Sequence, residues 1–365
     1  MKRYSKVPKT EKTEEQMLSE AKKWTAVAGA AVLLLAAVLL SLWVFPQKND
    51  GVENTSWAMG SYVQQTLYGD GAEETATEAA SAVSSLENLI SWRVEDSDID
   101  KLNRAAGTEW LEVDEKTMEV LEKALQIAQA TDGAYDPTIL PVSSLWNFDS
   151  EFPTLPEKSQ IEALLPDIGY SFLRINTEDC TASLRNHGNG LDLGGIGKGA
   201  GCDAALDCYR SAGIDGGIIA VGGSVGVYGE KPDGTDWRIS VRDPEGEESD
   251  GIGVISLDEG CVSTSGSYEK TFTEDGVTYH HLLDAKTGYP AESGLVSVTV
   301  VHESGAISDA LATACFVLGI EDSLPVLKEL GASALFIDEE HHITIAGDLT
   351  FEQSSTAYTV SRQSL

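Results

Sequence analysis

The sequence predicts an α+β protein, a single large mixed domain preceded by one membrane-spanning helix. Three observations carry that expectation. Residues 24–45 form an uncharged apolar run of 22 positions. Two later stretches carry apolar residues at helical spacing. The rest alternates between β-branched runs and short helical patterns without a strict βαβ rhythm. The chain has 365 residues, 42% of them hydrophobic and 23% charged, enough to build a sizeable core.

The elements follow in order. Residues 1–23 carry seven basic and four acidic side chains and read as a cytoplasmic tail. At helical rise, 24–45 spans about 33 Å, the thickness of a bilayer core. Trp24 and Trp43 lie near its ends, where interfacial aromatics belong. Lys22 and Lys23 just before it place the tail inside and the remainder outside. A cleaved signal peptide is the alternative, but the run is longer than the usual apolar region and no clear cleavage site follows. The expectation is a single-pass cell-membrane protein with an extracytoplasmic domain. Residues 46–54 are polar and read as a linker, and 55–365 as the domain.

Within the domain, 72–91 reads as an amphipathic helix with Ala79, Val83, Leu86, Leu89 and Ile90 on one side. Residues 114–131 read as a second, with Asp114 as N-cap and Gly133 just past its end. A helix at about 197–210 follows a glycine-rich segment. Strands are expected at 217–228, 236–242, 253–257, 295–302 and 334–346. A helix at 307–318, capped by Ser304 or Ser308 and closed by Gly319, precedes another at about 322–330.

Charge narrows the function. Beyond the tail the chain holds 18 basic and 55 acidic residues, a net of −37. A nucleic-acid partner is excluded on that ground, and a polyanionic small substrate would be repelled unless a cation bridged it. The five cysteines show no CxxC spacing, and several sit among small or apolar neighbours, which reads as buried free thiol.

Four constellations could carry chemistry. "LDLGGIGKGAGCD" (191–203) packs five glycines into 194–201 around Lys198. It is neither a P-loop nor a clean dinucleotide fingerprint, so it suits either a phosphate cradle or a tight turn opening a helix. "SDALATACF" (308–316) places Asp309 and Thr313 one helical turn apart, either a pair of oxygen ligands for a hard cation or a solvated first-turn aspartate. "YHHLLDAKTGYP" (279–290) holds two of the six histidines. Neighbours on a strand face opposite sides, so one of them could act as a base oriented by Asp284. It lacks the HExxH spacing of a zinc helix. "GAYDPT" (133–138) offers the Tyr135 ring and a carboxylate on Asp136 held before a proline.

These motifs stand in one order with "WAMGSYVQQTLYG" (57–69), "SDIDKLNRAAG" (97–107), "VGGSVGVYG" (221–229) and "STSGSYEKTF" (263–272). In that order and spacing the chain resembles the FAD:protein FMN transferase (ApbE) family over 53–350. The resemblance implies cleavage of FAD and transfer of FMN, through a phosphoester, to a Thr or Ser of an exported or membrane redox protein. It implies Mg²⁺ held by Asp309 and Thr313 with backbone carbonyls of Gly197 and Ala312. It implies a catalytic pair in His281 and Asp284. It places FAD contacts at Met59, Ala134, Tyr135, Asp136, Gly194, Lys198, Ala200 and Leu283. The chain departs from the family pattern in having Ser61 after Met59-Gly60, Gly197 where alanine usually precedes the lysine, and Arg93 beside Trp92 where an aromatic is common. Two alternatives use the same site: an Mg²⁺-dependent FAD pyrophosphatase releasing FMN and AMP, and a flavin-binding protein without catalysis.

Overall fold

Nine strands, taken in chain order, lie side by side in one sheet: β1 (Val52–Ala58), β2 (Ser61–Tyr68), β3 (Gly216–Val221), β4 (Ser224–Gly229), β5 (Gly260–Gly266), β6 (Leu295–His302), β7 (Ser333–Asp338), β8 (His342–Ala346) and β9 (Thr359–Gln363). Every neighbouring pair is antiparallel except β8 and β9, which run parallel. The computed structural model describes residues 51–247 and 249–365, and Gly51–Leu365 forms one compact unit. The apolar run 24–45 and the basic tail lie outside the described residues.

Long insertions hang from this meander. Between β2 and β3 come α1 (Ala72–Ile90), α2 (Asp98–Arg104), α3 (Glu115–Ala130), α4 (Leu140–Trp146), α5 (Lys158–Leu164) and α6 (Gly194–Ala212). A small sheet of Leu111–Glu112, Leu173–Asn176 and Thr181–Leu184 is folded in with them. Between β4 and β5 a hairpin, Trp237–Arg242 with Gly251–Leu257, pairs with Thr350–Gln353 from near the C-terminus. Between β5 and β6 a second hairpin, Thr271–Glu274 with Val277–His280, leads into His281. Between β6 and β7 lies α7 (Gly305–Leu330).

Both faces of the sheet are covered. On one, Val83 of α1 and Leu206 of α6 pack with Val63, Ile219 and Val221. The larger core joins Leu121, Ala124 and Ile127 of α3 to Leu311 and Phe316 of α7 and Val298 and Val300 of β6. On the other, Trp237, Ile239 and Ile255 meet Leu335, Ile337 and Ile345. Each fully buried Leu or Ile stabilises by about 1.5–3 kcal/mol, so the periodicity of α3 reports burial directly. Asp114 caps α3, its carboxylate accepting the Lys116 N–H at 2.9 Å, and Gly133 beyond the end has φ 77°.

Several boundaries differ from the sequence reading. The linker ends earlier, because residues 52–54 already belong to β1. The run 217–228 is two strands, turned at Gly222 with φ 55°, and 334–346 is β7 and β8. The glycine-rich segment is helical from Gly194 rather than a loop before residue 197. The helices at 307–318 and 322–330 are one element, α7, broken where Gly319 adopts φ 76° and ψ 177°. Ser304 rather than Ser308 is its N-cap. Strands β1, β2, β5 and β9 have no counterpart in the sequence reading. Among the described residues, α7 alone is long and apolar enough to cross a bilayer, but half of it is buried in this core. It gives no support to membrane attachment.

Candidate active site

Two glycines let α6 and α7 touch backbone to backbone. A Cβ added at Gly199 would lie 1.9 Å from the Gly305 carbonyl oxygen, and one at Gly305 would lie 2.3 Å from that of Gly199. Asp203 of α6 locks the contact. It accepts from the Ser304 hydroxyl at 2.8 Å and from the Gly305 and Ala306 N–H groups at the start of α7. It also meets Lys123 Nζ at 3.1 Å.

This crossing sets the first turns of the two helices side by side. Asp309 is buried, not the solvated first-turn aspartate that its position also suited. Its Oδ2 accepts the Gly199 N–H at 3.0 Å, and its Oδ1 stands 3.7 Å from Lys198 Nζ. Lys198 also reaches the Gly194 carbonyl at 3.5 Å. One turn along α7, Thr313 Oγ1 lies 3.2 Å from Ser265 Oγ on β5. Ala312 between them is fully buried, and Gly197 donates its N–H to the Leu193 carbonyl within the first turn of α6. Ala200, one residue past Gly199, is buried against the helical core.

Tyr135 closes this corner from the opposite side. Its ring edge lies 3.2 Å from where a Cβ on Gly195 would stand, and Thr313 Oγ1 lies 3.5 Å from the same point. Its hydroxyl is buried without a protein partner. Burial, with the charges of Asp309, Asp192 and Asp136, pushes its pKa well above the usual tyrosine value, so it remains a proton donor. The buried Ala134 precedes it, its N–H held by the Thr131 carbonyl.

Met59 enters from the β1–β2 turn. Met59 and Gly60 have φ 55° and 66°, the signs a two-residue type I′ turn needs. The turn lays the Met59 sulfur 3.9 Å from where a Cβ on Gly197 would stand. The β1–β2 turn, the Gly222 turn and the end of β5 lie at one end of the strands, and the site lies there.

Two of the residues expected at FAD also have partners within the fold. Asp136 Oδ1 accepts from the Thr138 N–H and hydroxyl at 2.8 and 2.6 Å, and Oδ2 from the Tyr170 N–H at 2.8 Å. Burial raises its pKa against these bonds, and its carboxylate ties the loop together. The Leu283 side chain is buried with Val142, Trp146 and Ile161. Gly194, exposed at the mouth of α6, donates its N–H to Asp192 Oδ1 at 2.9 Å.

The paired histidines face different surroundings, as adjacent residues at a strand end should. His280 packs edge-on against Phe316, with ring centroids 5.4 Å apart. His281 Nδ1 lies 3.0 Å from the Glu269 carbonyl oxygen. A carbonyl only accepts, so Nδ1 carries the proton and Nε2 keeps its lone pair. Burial, then the Lys270 and Lys198 charges, push its pKa down to about 4, so the ring is neutral at pH 7. His281 and Asp284 share no hydrogen bond in this structure. Asp284 Oδ1 instead accepts the Lys286 N–H at 2.9 Å, and its carbonyl accepts from Gly288, so it shapes the "AKTG" turn. The strand ends at His280, and the chain then bends toward that turn.

Sequence reasoning missed Ser265, Asp203, Glu269 and Lys270. The run of hydroxyls Ser263-Thr264-Ser265 would have pointed to Ser265 had the strand been recognised, since 263 and 265 share one face. A backbone carbonyl such as that of Glu269 leaves no signal in residue type. Among the described residues no three His, Cys, Asp or Glu side chains gather as a metal cluster. The oxygens here are of another kind: one buried carboxylate (Asp309), two hydroxyls (Thr313 and Ser265) and the unpartnered Tyr135 hydroxyl. That set suits a hard cation that leaves positions for a substrate.

A sequence profile of the ApbE family matches residues 59–336. An FAD:protein FMN transferase of Treponema pallidum is 34% identical over 265 residues, covering 69% of this chain and 73% of its own. One from Vibrio cholerae is 31% identical over 269 residues, covering 73% and 80%. Among solved structures, the ApbE protein of Thermotoga maritima superposes with a TM-score of 0.74 at 33% identity, over 84% of this chain and 97% of that one. The flavin transferase ApbE of Vibrio cholerae gives 0.72 at 26% identity, over 84% and 98%.

Proposed function

We propose, from the premise that this chain belongs to the ApbE family, that it is an FAD:protein FMN transferase acting on a Thr or Ser hydroxyl of an exported or membrane redox protein. The acceptor oxygen forms a bond to the FMN phosphorus, the diphosphate P–O bond breaks, and AMP leaves. His281 carries the reading. With Nδ1 held by the Glu269 carbonyl, Nε2 is free to take the acceptor hydroxyl proton as the new bond forms. Lys198 and the N-terminal turn of α6 supply positive charge for the diphosphate. Tyr135, Met59 and the Gly194–Ala200 turn bound the substrate cleft. Mg²⁺, held by Asp309 and Thr313 with carbonyls of Gly197 and Ala312, would neutralise the diphosphate as AMP departs. Such a cation answers the net −37 of the domain, which otherwise repels the substrate.

The apolar run 24–45 supports a single-pass anchor with this domain outside the membrane, where exported acceptors are met. Protease added to intact cells should then degrade 46–365, and a protected domain would refute the topology. The activity is tested by mixing the protein with FAD, Mg²⁺ and an acceptor carrying a candidate Thr. Fluorescent acceptor, lost when that Thr is replaced by Ala, supports the transferase. Free FMN plus AMP would make it a pyrophosphatase, and unchanged FAD a binder.

A further inference from the structure

Lys270 stands next to the residue that holds His281. Its backbone is left-handed, with φ 45°. Its Nζ lies 2.8 Å from Asp149 Oδ1, while Asp149 Oδ2 accepts from Arg93 Nη2 at 2.6 Å. The Arg93 guanidinium in turn lies over the Trp92 ring, 4.1 Å from its centroid. One carboxylate therefore joins three segments: the turn after α1, the turn after α4 and the start of the hairpin that ends in His280. The residues before Lys270 are tied as well. Glu269 Oε1 is 3.8 Å from Arg242 Nη1, and the Arg242 guanidinium sits 4.9 Å from the Tyr268 centroid.

We propose that Lys270 is a positioning residue of this site: its clasp on Asp149 and Arg93 holds the 268–270 segment so that the Glu269 carbonyl fixes the His281 ring with Nε2 toward the substrate. The inference rests on His281 being the base, as read above. Stability does not account for the clasp. The Arg93, Asp149 and Lys270 side chains are 48%, 42% and 55% exposed, and ion pairs that open to water contribute about 0–1 kcal/mol. What the clasp supplies is geometry, and a base displaced by about 1 Å can lose a hundredfold in rate. It also supplies charge. The groups facing His281 are Lys270, Lys198 and His280, with Asp149 close by. Burial is the main reason that His281 stays neutral, and Lys270 adds to it. Burial opposes ionisation of Asp149 too, but the Lys270 and Arg93 charges hold its carboxyl below the usual range.

The test uses the full-length protein with Lys270→Met, Lys270→Arg and Asp149→Asn. Two readouts are needed: the pH profile of FMN transfer, and the titration of the His281 imidazole by NMR without substrate. Lys270→Met should lower kcat on the order of ten- to a hundredfold, with KM for FAD moving less. Its acid limb and its His281 titration should both move to higher pH. Lys270→Arg should restore most of the rate. Asp149→Asn should lose rate in the same way without raising the limb. A Lys270→Met enzyme with the wild-type rate and limb, or a Lys270→Arg variant as poor as the Met one, overturns the proposal. Should the wild type transfer no FMN at all, the functional reading falls, and the NMR titration decides on Lys270: an unmoved His281 overturns it. Should Lys270→Met not fold, a normal transfer rate in Asp149→Asn overturns it equally.

Discussion

Adding one methyl group at Gly199 should separate the two helices on which the site is built. The new Cβ would lie 1.9 Å from the Gly305 oxygen, 2.4 Å from its carbonyl carbon and 2.7 Å from Asp309 Cβ. Ordinary contact begins near 3.4 Å, so the helices must part by about 1.5 Å. None of those atoms belongs to a flexible side-chain end, so no rotamer change relieves the clash. Overpacking of this kind costs about 1–3 kcal/mol. Parting the helices also strains the Gly199 N–H bond to Asp309, worth about 1.5–3 kcal/mol for a charged acceptor. Alanine returns about 1 kcal/mol of helix propensity. The net is a loss of about 1.5–5 kcal/mol, or about 0.8–2.5 M in the urea midpoint at a slope of about 2 kcal/mol per molar. Two positions earlier, a Cβ on Gly197 meets only Ile90 at 3.6 Å and Met59 at 3.9 Å. Gly197→Ala should therefore be neutral or stabilise by up to about 1 kcal/mol. Urea unfolding of both variants, followed by circular dichroism, decides the matter. A Gly199→Ala protein as stable as Gly197→Ala would refute the close crossing of α6 and α7.

The other predictions concern the chemistry. His281→Ala should lower FMN transfer by roughly two to four orders of magnitude with FAD affinity far less affected, whereas Asp284→Ala, which loses only a turn bond, should stay within roughly tenfold of wild type in single-turnover assays. Asp309→Ala should abolish Mg²⁺-dependent transfer, and because the residue is buried and holds the Gly199 N–H it should also cost about 1–3 kcal/mol in urea unfolding. Stability should fall on acidification: His281 binds a proton near pH 4 when folded and near 6.5 when unfolded, so its share is present above pH 6.5 and is lost as the pH drops toward 4. The urea midpoint of His281→Ala should change less than that of wild type between pH 7.5 and 5.

Local pattern made some of this architecture legible and left other parts hidden. The α1 and α3 faces were readable because burial and the 3.6-residue period coincide, and β6 was readable because it is largely buried and rich in valine. Strands β1 and β2 were not, since "NTSWA" and "VQQTL" hide one buried face among polar residues. The glycine-rich stretch looked like a loop because five glycines disfavour a helix. Tertiary contact reverses that preference, as Gly199 needs its missing side chain to meet Gly305. Asp309, Thr313, Lys198 and Tyr135 do converge, yet the Asp284 carboxylate shares no hydrogen bond with His281. The partner is the Glu269 carbonyl, and no residue pattern encodes a carbonyl's direction. The link from Asp149 to Lys270 spans more than a hundred positions and has no local signature.

The order of the nine strands bears on how the domain is made. From β3 onward, each strand through β8 pairs with the one before it across a turn or an insertion of about thirty residues or fewer. Only β2 and β3 must find each other across roughly 150 residues, and a closure of that length carries a larger entropic penalty than any other pairing in the sheet. On that ground the N-terminal hairpin is expected to join last, after the helices of the insertion have condensed. Met59 rides on its turn, so its contact with the Gly197 turn of α6 would form only when the hairpin docks. Pulsed hydrogen exchange during refolding should show amides of β5–β8 protected before those of β2, and simultaneous protection would contradict this sequence of assembly. A chain halted before that step would already hold Asp309 and Thr313 on α7 and His281 beside Glu269, yet would leave Gly197 without Met59 against it.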